Sequence, residues 1–123
     1  MKTILLVEDD KFLSTLLKNR LEKEGLAVTH ASDGEEAVNI LRSGQKPDLT
    51  LLDVILPKKN GFEVLEEIRQ DPGLTHLPII IISNLGQDTD VARGKDLGAI
   101  EYYIKAQTSI DDLVLKVKEF IGA

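Results

Sequence analysis

Four apolar runs each end directly in polar or charged side chains. Ile4-Leu5-Leu6-Val7 leads into Glu8, Asp9 and Asp10, Leu49 to Leu52 into Asp53, Ile79 to Ile82 into Ser83, and Ile100 to Ile104 into Lys105. If the runs are parallel strands, Glu8, Asp9, Asp53, Ser83 and Lys105 all sit at one edge of a sheet. Crowded carboxylates repel, and one takes up a proton unless a cation lies among them. A hard divalent ion resolves the crowding. Mg2+ suits best, since it binds one or two carboxylates, keeps water, and leaves positions for phosphate oxygens. Asp53 needs no deprotonation at neutral pH and is therefore a nucleophile ready to act. What it can accept is a phosphoryl group, with Mg2+ and Lys105 neutralising the equatorial oxygens and Ser83 donating a hydrogen bond.

Other chemistries fit less well. A serine nucleophile needs a base such as histidine to take its proton. His30 lies near the end of a weak second run and His76 in the loop before Pro78, and both read as surface residues. No GxxxxGK[ST] or GxGxxG stretch is present to cradle a nucleotide phosphate. Each acid taken alone also reads as a helix cap or a solvated charge, and Asp10 is assigned a capping role.

The elements that must position these residues alternate regularly. Strands are expected at 3–7, 27–31, 49–52, 79–82 and 100–104. Between them, Leu13, Leu16, Leu17 and Leu21 recur at helical spacing before Gly25; Asp33 opens a helix with Ala37, Ile40 and Leu41 inside; and Val64, Leu65 and Ile68 mark a third helix ending before Asp71-Pro72-Gly73. The loop before this third helix contains Pro57 and Asn60-Gly61. The stretch from Asp88 to Leu97 makes a poor fourth helix, interrupted by Gly94, with only Val91, Ala92 and Leu97 available to a core. Ser109 caps a fifth, whose inner face is Leu113, Val114, Val117, Phe120 and Ile121.

Strand and helix in alternation mean an α/β fold with a doubly wound parallel sheet, since a barrel needs about twice this length. Ligands of such sheets bind beyond the strand C-termini, where strand order switches. In the order 2-1-3-4-5 the first and third strands are neighbours, which brings Glu8, Asp9 and Asp53 into one cleft. The 123 residues read as one domain spanning 1–123, with no output domain in the chain. An excess of 21 acidic over 15 basic residues argues against a nucleic-acid surface, and no apolar run is long enough to cross a membrane. Without cysteine there is neither a disulfide framework nor a thiolate site. The expected location is the cytoplasm. A flavin-binding module on the same sheet is the competing class, but Glu8 and Asp9 would repel a flavin phosphate.

These residues, in this order and spacing, resemble the receiver domain of two-component response regulators over essentially the whole chain. The resemblance rests on Ile4-Leu5-Leu6-Val7-Glu8-Asp9, on Asp53 with Pro57 and Gly61 after it, on Ser83 after the isoleucine run, and on Tyr102 and Lys105. It implies a flavodoxin-like (βα)5 fold and a phosphoacceptor switch rather than a turnover enzyme. Asp53 would be phosphorylated by a sensor histidine kinase or a His phosphotransfer protein. Asp9 would ligate Mg2+ directly with Glu8 assisting, and Asp53 and the backbone carbonyl of Ile55 would supply further ligands. Ser83 and Lys105 would contact the phosphoryl group.

Tyr102 fills the aromatic position that, with Ser83, reports activation by turning inward once the loop after the fourth strand shifts. The fourth helix, fifth strand and fifth helix would then alter binding of a downstream protein target or output domain, or form a phosphorylation-dependent homodimer. Ile55 and Leu85 flank the path of hydrolytic water, and neither can orient one, so slow loss of the phosphoryl group is expected. Two positions depart from the family. Ala106 follows Lys105 where a proline after a cis bond is usual, so the sequence leaves this peptide open between cis and trans, and Asn84 replaces a small residue beside Ser83.

Overall fold

A computed structural model describes residues 1–122; Ala123, the last residue of the expected domain, lies outside the described residues. The strands are β1 (Thr3–Val7), β2 (Ala27–Ala31), β3 (Leu49–Leu52), β4 (Ile79–Ser83) and β5 (Glu101–Ile104). The helices are α1 (Lys11–Lys23), α2 (Gly34–Arg42), α3 (Gly61–Gln70), α4 (Asp88–Asp96) and α5 (Ile110–Ile121). All four strand pairings are parallel, in the order β2-β1-β3-β4-β5. This is the flavodoxin-like (βα)5 arrangement.

The three inner strands are apolar on both faces, Thr3, Thr50 and Ser83 apart, because both faces are covered. Alternate side chains of one strand enter different cores. Leu5, Val7, Leu52, Ile79 and Ile81 pack under α2, α3 and α4, whereas Ile4, Leu6, Leu51, Ile80 and Ile82 pack under α1 and α5. Full burial of one such side chain contributes about 1.5–3 kcal/mol. Four helices start on side chains that accept from an N3 amide: Asp10, Asp33 and Ser109, as the sequence indicates, and Asn60.

At the opposite edge from the strand C-termini, the Arg69 guanidinium of α3 is half-buried and pairs with no carboxylate among the described residues. It donates instead to the backbone carbonyls of Leu97, Gly98, Thr75 and Leu77 at 2.8–3.1 Å. One side chain thereby ties the segment after α4 to the segment before β4.

Several expectations need correction. Ile100 precedes β5 and is exposed. Asn60-Gly61 is not loop but the cap and first residue of α3. Phe120 faces solvent, 45% exposed, because it lies at the margin of the α5 stripe, whose centre is Val117. In α4, Ala92 is exposed while Val91 and Leu97 pack partly against the core, and the buried residue is Gly94. A Cβ at Gly94 would stand 2.8 Å from both Ile81 Cδ1 and Tyr102 Cδ2, so this glycine permits close approach rather than breaking the helix. Ala106 lies in a short 3-10 turn (Lys105–Gln107), and among the described residues every peptide bond is trans.

Candidate functional site

Strand register brings the acids together. Val7 pairs with Leu52, so the next residues, Glu8 and Asp53, leave the sheet side by side, and the Asp53 amide extends the ladder by donating to the Val7 carbonyl at 3.1 Å. Carboxylate oxygens of Glu8, Asp9 and Asp53 all lie within 4.8 Å of one another. Glu8 and Asp53 are buried, whereas Asp9 is open to solvent. Asp10 points away to cap α1, accepting from the Leu13 amide at 3.0 Å.

Lys105 reaches into this group from the end of β5. Its ammonium donates to Asp53 Oδ2 at 2.7 Å and stands 2.7 Å from Glu8 Oε1. The other oxygens are held by backbone: Glu8 Oε2 accepts from the Asp10 amide at 3.2 Å, and Asp53 Oδ1 from the Ile55 amide at 3.2 Å. Burial raises the Glu8 pKa, only partly offset by the contact with Lys105, and the Asp53 charge raises it further. Burial alone would depress the Lys105 pKa, but hydrogen bonds and charge from Asp53 and Glu8 outweigh it and raise it.

One ammonium does not balance three carboxylates. At such spacing each like pair repels by roughly 3 kcal/mol for an effective dielectric of about 20. Glu8 Oε1 is buried and, although ion-paired, makes no aligned hydrogen bond among the described residues. An all-oxygen donor set in which three carboxylates share one ammonium fits a hard divalent cation.

Ser83 ends β4 fully buried, and its Oγ accepts from the Leu85 amide at 3.2 Å. Tyr102 of β5 donates its hydroxyl to the Leu85 carbonyl at 2.5 Å. Its ring is already turned inward, 8% exposed, which differs from the expectation that it enters only when space is vacated. The reason is Gly94, whose missing side chain leaves a slot for the ring. Ile55, two residues past Asp53, is 54% exposed, and Leu85 is half-buried.

His30 lies near the end of the second strand and is part-exposed, as the sequence suggested, but it has a partner that the sequence did not reveal. It is half-buried in β2, with Nε2 2.7 Å from the backbone carbonyl of Glu8. A ring nitrogen donating there steadies the turn that carries Glu8 and Asp9. The available signal was its position, one residue before the end of the strand that pairs with β1. His76 is exposed, as expected.

The model of the response regulator receiver domain matches residues 4–118. The chain belongs to this family. Among curated relatives of this receiver domain, the transcriptional regulatory protein CpxR of Escherichia coli (strain K12) is 45% identical over 106 residues, covering 85% of this chain and 43% of CpxR. The domain spans about half, or less, of the length of the curated relatives it matches.

The solved structures similar to it include two response regulators. The Mn(2+)-bound form of response regulator Rcp1 has a TM-score of 0.87 and 32% identity, over 98% of this chain and 94% of that one. The phosphorylated cyanobacterial phytochrome response regulator RcpA has a TM-score of 0.89 and 34% identity, over 99% and 94%. Among the described residues of this receiver domain, no helix is long and apolar enough to cross a membrane.

Proposed function

We propose that this receiver domain is a switch operated by phosphorylation of Asp53. The observation that carries the reading is the Asp53 carboxylate held 2.7 Å from the Lys105 ammonium inside a three-carboxylate pocket. A sensor histidine kinase or a His phosphotransfer protein presents a phosphoimidazole. An Asp53 oxygen attacks phosphorus, the P–N bond breaks, and the donor imidazole keeps the electron pair and takes up a proton. Lys105 holds Asp53 in place and then pairs with the phosphoryl oxygens. Asp9, assisted by Glu8, together with Asp53 and the Ile55 backbone carbonyl would hold Mg2+, which supplies charge neutralisation at the phosphoryl oxygens when bound. The likeness to Rcp1 with Mn2+ and to phosphorylated RcpA supports both assignments.

Phosphorylation adds close to two negative charges and three strong acceptors. Ser83 turns its hydroxyl toward them and gives up the Leu85 amide, which loosens the residue that also bonds Tyr102. The α4-β5-α5 face then changes, with a coupling of about 1–3 kcal/mol, and so alters its affinity for a downstream protein target, an output domain or a second copy. No residue is evident as a general acid for turnover, since Ile55 occupies the place where a second aspartate could act.

The test is incubation with acetyl phosphate and Mg2+ followed by intact mass. Addition of one phosphoryl group, absent in Asp53→Ala and without Mg2+, is expected. An unmodified wild-type protein would overturn the reading.

A further inference from the structure

We infer that Gly34, the first residue of α2, is a positioning residue for the loop between β3 and α3 that carries the Ile55 carbonyl. The inference rests on the cation site proposed above and extends it to an element that contributes no ligand. A Cβ at Gly34 would fall 1.9 Å from the Lys59 carbonyl oxygen and 2.7 Å from its carbon. Ordinary carbon–oxygen approach begins near 3.3 Å, so any side chain here moves the loop by more than about 1 Å. The neighbour is backbone, which has no rotamer to yield.

Two further contacts come from the same turn of α2. The Gly34 amide points to the Pro57 carbonyl at 3.5 Å, and Asp33 Oδ2 lies 3.8 Å from Lys58 Nζ. Lys58 itself is held at φ 67°, a left-handed conformation in which a lysine needs support from its surroundings. At its far end the loop is fixed by Gly61, where a Cβ would stand 2.3 Å from the Asp53 carbonyl oxygen. Gly61 also donates its amide to the Val54 carbonyl at 2.9 Å. The segment from Val54 to Asn60 is therefore closely approached by two glycines, Gly34 against Lys59 and Gly61 against Asp53 and Val54. Its beginning carries the Ile55 amide on Asp53 Oδ1. Because Gly61 ties the loop's end back to Val54, displacing Lys59, and with it the Pro57 carbonyl that the Gly34 amide faces, displaces Ile55 as well.

The position is informative because ordinary helix physics predicts the reverse. Alanine is a better helix residue than glycine, so Gly34→Ala would be benign if the approach to Lys59 were incidental. Gly73→Ala serves as a control, since its Cβ meets nothing closer than Asp71 Oδ1 at 3.5 Å.

The experiment titrates Mn2+ against wild type, Gly34→Ala and Gly73→Ala by electron paramagnetic resonance, with amide hydrogen exchange on each protein. Gly34→Ala is expected to weaken Mn2+ binding about ten-fold, the scale on which supports around metal ligands act. Its amide exchange is expected to accelerate across 54–60 but not in α1 or α5, and Gly73→Ala is expected to match wild type. Folded Gly34→Ala with unchanged Mn2+ affinity would overturn the inference. If Gly34→Ala does not fold, Asp33→Ser carries the test, since serine keeps the helix cap but frees Lys58. A smaller weakening of Mn2+ binding is expected, and unchanged affinity overturns the inference. Failure of wild type to bind Mn2+ removes the cation site itself, and with it this role for Gly34.

Discussion

Ser83 and Tyr102 hold opposite ends of one residue: the serine hydroxyl accepts from the Leu85 amide at 3.2 Å, and the phenol donates to the Leu85 carbonyl at 2.5 Å. The residue expected to touch the phosphoryl group and the residue expected to report it are therefore linked through a single amino acid. Tyr102→Phe removes one bond and leaves the ring in its slot. A loss of about 1 kcal/mol in urea unfolding is expected. Faster amide exchange at Leu85 and Gly86 should accompany it, and unchanged exchange there would show that the link bears no load.

Gly94→Ala should destabilise the domain although alanine favours helices. The added methyl would lie 2.8 Å from Ile81 and from the Tyr102 ring, and overpacking of this kind costs about 1–3 kcal/mol. The ring is the neighbour with somewhere to go. Tyrosine fluorescence quenching by iodide should rise in the variant, and an unchanged melting temperature would contradict the prediction.

Alkaline titration offers a third check. Burial raises the pKa of Tyr102 and Tyr103 above the ordinary phenol value of 10.0, with neighbouring Asp90 and Glu101 adding to it. An acid whose folded pKa is raised contributes stability that is complete below the unfolded value and fades as pH rises through the folded one. Stability should thus fall from pH 10 upward. Tyr102→Phe, which has no proton to lose, should narrow that fall when denaturant midpoints are compared at neutral and alkaline pH.

Thr50 is buried in the centre of β3, and its hydroxyl has no hydrogen-bond partner among the described residues. Valine has nearly the same shape without the unmet polar atom. Thr50→Val is expected to stabilise the domain by about 1 kcal/mol, read as a higher urea midpoint at constant slope.

The lifetime of the phosphoryl group supplies the fifth prediction. Ile55 projects into solvent beside Asp53, and its side chain cannot hydrogen-bond water. Ile55→Asn places an amide there and should shorten the half-life of phosphorylated Asp53, followed by intact mass after removal of acetyl phosphate. Equal decay in the two proteins would discard the idea.

The strands were legible because each is a short apolar run, and four of the five begin where the pattern puts them. β5 begins one residue late, since Ile100 is apolar yet lies outside the ladder. Glu8, Asp9, Asp53 and Lys105 could be gathered from sequence because strand order and parallel register determine which strand ends meet. The supports of the site were not legible. Gly94 and Gly34 act through what their missing side chains allow to approach, and His30 acts through a backbone carbonyl. Neither leaves a periodic pattern, since the partner is remote in the chain and its type is irrelevant. Phe120 was misplaced for a related reason: helical periodicity gives the direction of a stripe but not the point at which the sheet beneath it ends.

Arg69 clasps four carbonyls, two of them just past α4, while the other end of α4 is linked to the sheet through the hydroxyl of Tyr102. A rod moored firmly at one end and lightly at the other swings rather than slides. Under the proposed switch, any excursion of α4 would be widest near Gln87 and smallest near Leu97, and a partner would sense it best at the Gln87 end.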